Sequence, residues 1–186
     1  ETGEYAAQIN YANWKGAECA LIEFVTKEAY PSGTVVKFKY KTVNAPSSYW
    51  NHLATCTNPE EASVYADASG KPNTSKWVHP LADTKGTWVD VTYTLTETAY
   101  VHFAGNAGST WADGYMLVDD FSVTVGGETQ VDTFNDGLTE GLFNVNGSGV
   151  VELINMNKGE VDSNSGTSVD IKYILDIRDF NDSPYA

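Results

Sequence analysis

Tyr115-Met116-Leu117-Val118-Asp119-Asp120-Phe121-Ser122-Val123-Thr124-Val125 is the stretch whose reading decides the fold. Leu117, Phe121, Val123 and Val125 fall on one face of an extended chain, the alternation of a half-buried strand. Val36, Phe38 and Tyr40 alternate in the same way with Lys37, Lys39 and Lys41, and Val89, Val91, Tyr93 and Leu95 with Asp90, Thr92 and Thr94. Patterning predicts further strands over Tyr5–Tyr11, Cys19–Thr26, Ser63–Asp67, Ala99–Ala104, Val150–Asn155 and Ser168–Ile174. Turn signals separate them, among them Pro31-Ser32-Gly33, Lys85-Gly86, Gly105-Asn106 and Gly126-Gly127. Many short strands between frequent turns, with no convincing long helix, predict an all-β sandwich or barrel.

The chain has 186 residues, 41% of them apolar and 12% aromatic, enough for one domain with a full core. Its net charge of -14 argues against nucleic acid and anionic membrane surfaces, which need clustered Lys and Arg. A neutral glycan is easier to accommodate than a polyanionic one. No apolar run is long enough for insertion in a bilayer as a helix. No signal peptide is present in the sequence, and the sequons at Asn73, Asn146 and Asn181 matter only in a eukaryotic secretory pathway. Cys19 and Cys56 read as one disulfide in an extracellular setting, or as two buried thiols in a reducing one.

At Gly126-Gly127-Glu128 the chain changes character. Two stretches then resemble the jelly-roll carbohydrate-binding modules of bacterial polysaccharide-degrading and cell-surface proteins. One runs from Gly86-Thr87-Trp88-Val89 to the Tyr115–Val123 strand, similar to that family's Gly-x-Trp strand and its closing strand. The other, Phe134-Asn135-Asp136-Gly137 through Gly141 to Asn157-Lys158-Gly159, is similar to the family's opening element. Here the opening element follows the closing strand. Residues 1–127 therefore read as the main portion of a jelly-roll sandwich, and residues 128–186 as the strands that complete it or, in the alternative, as the start of a second repeat. Completion implies circular permutation or strand exchange in a dimer. The resemblance also implies an extracellular module, secreted or surface-attached, within a parent multidomain protein.

Asp119 falls in phase with Phe121 and Val123 and should point inwards. A buried carboxylate needs a hydrogen-bond network, a partner charge or a metal. The resemblance implies a structural Ca2+ held by Asp119 and Asp120 with Asp132, Asn135 and Asp136, where Asn135 stands in place of the family's Glu. The loop from Asn144 to Asn155 has calcium-loop spacing, but Asn and Ser replace its acids, and a hairpin turn is the plainer reading.

Sugar rings stack their C–H faces on flat aromatic side chains, while amides and carboxylates bind the hydroxyls. Trp14, Trp50 and Trp111, with Tyr49, lie in polar, loop-like contexts and are the candidate platforms. Asn13, Asn51, His52 and Asp113 are the candidate hydroxyl binders. Each tryptophan could equally close an end of the sandwich, and that reading is stronger for Trp77 and for Trp88, which starts a core strand. No HExxH, GxSxG or Walker pattern is present, so no catalytic residue is assigned. The expectation is a non-catalytic module binding a polysaccharide or oligosaccharide. The alternative is a structural or adhesion repeat contacting a protein partner.

Overall fold

The structure is a computed structural model and describes residues 4–10, 19–45, 51–60, 75–105, 114–145 and 151–156. The described strands are β1 (Tyr5–Asn10), β2 (Cys19–Thr26), β3 (Val35–Val43), β4 (Asn51–Cys56), β5 (Ser75–Pro80) and β6 (Val89–Thr94), then β7 (Tyr100–Gly105), β8 (Tyr115–Val125), β9 (Glu128–Asp132), β10 (Phe143–Val145) and β11 (Val151–Asn155). They form two antiparallel sheets. One has the order β11-β1-β8-β3-β6 with β9 paired to β8, and the other the order β10-β2-β7-β4-β5. There is no α-helix among the described residues. The fold is a β-sandwich.

The three strands after Gly127 enter both sheets: β9 pairs with β8, β10 with β2 and β11 with β1. The strands expected over 63–67 and 168–174, like the three sequons, lie outside the described residues.

The core sits between the sheets and is largely aromatic. Phe24 stacks on Phe143 at 4.2 Å and on Phe103 at 5.8 Å, while Phe121 meets Phe143 edge-on at 4.7 Å. Val36, Phe38 and Tyr40 face inwards, as their alternation predicts. Burying each large side chain contributes about 1.5–3 kcal/mol, so these rings dominate the cohesion of the sandwich.

The alternation of β8 is broken midway. Lys37 is opposite Ser122 and Lys39 opposite Asp119, so β8 spends one residue more than β3 across this step. The extra residue forms a β-bulge at Asp120, whose φ is +50°. Before it, Met116 and Val118 face the core; after it, Phe121 and Val123 do. Asp119 therefore shares the outer face with Lys39, and Leu117 with Lys41. The inward position expected for Asp119 is corrected: a bulge shifts the phase by one residue, which a strict period of two cannot register.

Candidate functional site

On the outer face of the five-stranded sheet, β4 places His52, Ala54 and Cys56, while Leu53 turns into the core. Ala54 is opposite His102 of β7 and Trp77 of β5; His52 is opposite Ala104 and Pro80. Ala54 and Ala104 carry no side chain beyond Cβ, and the indole of Trp77 packs against this low floor. The imidazole of His52 then stacks on Trp77 at 4.3 Å and 21°. Both rings are half-buried. The Nδ1 atom of His52 is buried with no hydrogen-bond partner. Burial, aided by the charge of His79, holds the His52 pKa below its ordinary value. A neutral imidazole carries one donor and one acceptor nitrogen, which suits it to hydroxyl groups.

Asn51 and His52 begin a strand rather than standing in an exposed turn. Asn51 is fully buried, and its backbone carbonyl accepts the Leu81 amide at 2.7 Å. That corrects its expected role as a surface ligand for hydroxyls. Trp14, Tyr49, Trp50, Trp111 and Asp113, together with Asn13, lie outside the described residues. Of the expected sugar-binding set, His52 is thus the one described at a partly accessible position. Its neighbour Trp77, expected from its sequence context to plug an end of the sandwich, instead lies on the outer face of the sheet against Ala54 and Ala104. Its cue is Ala54, a small residue one position beyond Leu53 that leaves room for a large ring.

A second imidazole lies deeper. His102 is fully buried, with Nε2 at 2.7 Å from Ser75 Oγ and Nδ1 at 2.9 Å from the Phe103 carbonyl oxygen. Burial pushes its pKa down to about 4, against the opposing pull of backbone groups of Phe103 and Thr55. The Ser–His contact resembles a nucleophile and its base, yet Ser75 is only 2% exposed and the orienting group is a backbone carbonyl. Its geometry is that of a satisfied buried polar pair.

Cys56 is a free thiol, buried, with its pKa pushed up to about 12 by that burial. The Cys19–Cys56 disulfide is therefore corrected. Cys19 is opposite Gly105 and Cys56 opposite Tyr100, so the two lie on different neighbours of β7 and at its opposite ends. A disulfide needs Cα atoms within about 7 Å, and this register does not provide that.

The residues expected to hold Ca2+ are individually engaged. Lys39 Nζ lies 2.6 Å from Asp120 Oδ2 and 3.7 Å from Asp119 Oδ2, and Asp119 Oδ1 accepts the Asp120 amide at 2.7 Å. Burial raises the Asp119 pKa, and the Asp120 amide and Lys39 oppose the rise. Asp132 Oδ1 accepts the Phe134 amide at 3.0 Å, and Oδ2 accepts the Leu142 amide at 2.7 Å. Asn135 Oδ1 accepts the Glu4 amide at 2.8 Å, and Asp136 is exposed. Among the described residues no group of three or more His, Cys, Asp and Glu side chains is placed to hold a metal ion. The donor set as built does not fit Ca2+, because an ammonium and backbone amides already satisfy its buried carboxylates. Trp88, expected at the head of a core strand, lies on the outer face, with the ammonium groups of Lys39 and Lys41 5.6 and 5.7 Å from its ring centroid.

No protein-family model and no curated protein matches the chain. Among solved structures it is similar to the K3 cleaved adhesin domain of Lys-gingipain from Porphyromonas gingivalis w83, at 21% identity over 55% of this chain with a TM-score of 0.30. The chain covers 63% of that structure's length. A likeness this distant transfers no site.

Proposed function

We propose that this chain is a non-catalytic carbohydrate-binding module of a secreted or surface-attached multidomain protein, taking a neutral polysaccharide or oligosaccharide. The observation that supports the reading is the His52–Trp77 stack on the outer face of a sheet, two half-buried rings side by side. That pairing joins a flat aromatic surface to a hydrogen-bonding group, the combination that sugar recognition requires. The low density of basic residues agrees with an uncharged ligand.

Affinity gel electrophoresis against neutral polysaccharides, followed by calorimetry on any that retard the protein, tests the reading. Retardation by at least one is expected, with Trp77→Ala and His52→Ala each weakening binding about tenfold, or ~1.4 kcal/mol. Far-UV circular dichroism would confirm that both variants stay folded. Failure to bind any neutral glycan would overturn the function, and undiminished binding by both variants would overturn the site.

A structural or adhesion repeat that contacts a protein partner is the second reading. Val131, 57% exposed on the outer side of β9, favours it.

A further inference from the structure

The β8–β9 hairpin carries an inversion of polarity. On β8, Val123 faces the core, and Gln130 is directly opposite it; Val125 is opposite Glu128 in the same register. Opposed residues share a face. The inward side of β9 is thus polar, with Glu128, Gln130 and Asp132, while its apolar Val131 points outwards. A strand built only to close a sandwich would have the reverse pattern.

Of these inward residues, Glu128 and Gln130 line a cavity of about 300 Å³ beside the hairpin. Its opposite wall is the segment between β2 and β3, from Glu28 to Pro31. Val123, Val125, Ala29 and Pro31 supply aliphatic lining, and Glu28, Glu128 and Gln130 supply polar groups. Tyr30 also lines it, a phenol only 4% exposed whose hydroxyl makes no hydrogen bond to any described residue. Neither glutamate has an ion-pair partner among the described residues. Lys27, the nearest lysine in sequence, instead donates to the Thr139 carbonyl oxygen at 2.6 Å. Burial above all, with the charges of Glu28 and Asp132 added to it, pushes the Tyr30 pKa up to about 12.

We propose that this mouth is a binding site for a lysine or arginine side chain of a partner polypeptide. Two carboxylates at the rim complement a cation, and aliphatic walls accept the methylene stem that such a side chain brings with it. The amide of Gln130 and the phenol of Tyr30 can accept further hydrogen bonds from an ammonium or guanidinium group. A carboxylate or phosphate ligand would be repelled by the same rim. The inference is independent of the sugar-binding reading, because it uses the cavity beside the hairpin and not the outer face carrying Trp77.

Chemical-shift mapping of the full chain with a capped Gly-Gly-Lys-Gly-Gly peptide tests it. Amide shifts at Ala29, Val125 and Gln130 are expected below about 10 mM peptide, weakening as salt rises. Glu28→Gln with Glu128→Gln should weaken binding about tenfold, each contributing roughly threefold. Both substituted residues are exposed, so the fold is retained. Equal binding of the Nε-acetylated peptide, or no shift at these amides, would overturn the proposal. A tenfold preference for 1,5-diaminopentane over the peptide would also overturn it, by assigning the site to a free amine.

Discussion

Asp119 and Asp132 are alike in burial, at 2% and 4% exposure, and differ in how that burial is made tolerable. Asp119 lies on the outer face of a sheet next to a bulge, where Lys39 reaches both it and Asp120. Asp132 lies at the end of β9, where each carboxylate oxygen takes a backbone amide from a different point of the following loop. The first carboxylate is neutralised by charge and tied to one strand pair. The second organises chain. Phe134, buried in the aromatic core, holds a φ of +57°, which a bulky residue adopts only when its surroundings impose it. A Cβ at Gly141 would land on the Asp132 carboxylate, so the loop closes around this side chain at a position only glycine permits.

The largest consequence of that contrast is Asp132→Ala. It leaves two amides of a closed loop without acceptors and releases a strained aromatic from the core. About 1–3 kcal/mol is expected for each orphaned group, so a loss on the order of 3 kcal/mol should appear in urea unfolding. A cost below about 1 kcal/mol would mean that the loop does not depend on the carboxylate.

Lys39→Met should cost less, roughly 1–2 kcal/mol, because Lys39 and Asp120 are 12% and 26% exposed and water partly replaces the lost partner. It also removes an ammonium from the face of Trp88. Its distinctive signature is titration. The Asp119 pKa is already raised, so the unfolded chain ionises first as pH rises and stability falls between the unfolded and folded values. Removing Lys39 takes away a charge that opposed this rise, so the Asp119 carboxyl resonance should titrate at still higher pH in the variant. An unchanged titration would mean that Lys39 does not engage Asp119.

The same two aspartates show what was legible in the sequence. The strands of the sandwich follow from periods of two in β3, β6 and β8, and the need of Asp119 for a partner followed from its place inside an apolar run. Its direction did not follow, because Asp120 lacks the glycine that usually marks a left-handed bulge residue. β4 and β5 carry no clear period of two, because Asn51, His52, Lys76 and Pro80 are polar or strand-breaking and the outward Ala54 is small. The His52–Trp77 pair joins strands separated by the segment 61–74, a proximity no local pattern encodes.

The smallest expected effect is the response to calcium, and it separates the two carboxylates' solutions from a shared metal site. If Asp119 and Asp132 belonged to one site with a Kd near 50 μM, ~5 mM calcium would be about 100 Kd and would add about 2.7 kcal/mol. For a chain of this size that is a rise in melting temperature of roughly 5–10 °C. With the carboxylates committed to Lys39 and to backbone amides, the melting temperature in ~5 mM calcium and in EDTA should agree within about 1 °C. A rise of the larger size would require Lys39 to leave Asp119 and Asp120 when the ion enters. Lys39→Met would then strengthen calcium binding rather than leave it unchanged, so the same variant that breaks the ion pair also decides whether it stands in a metal's place.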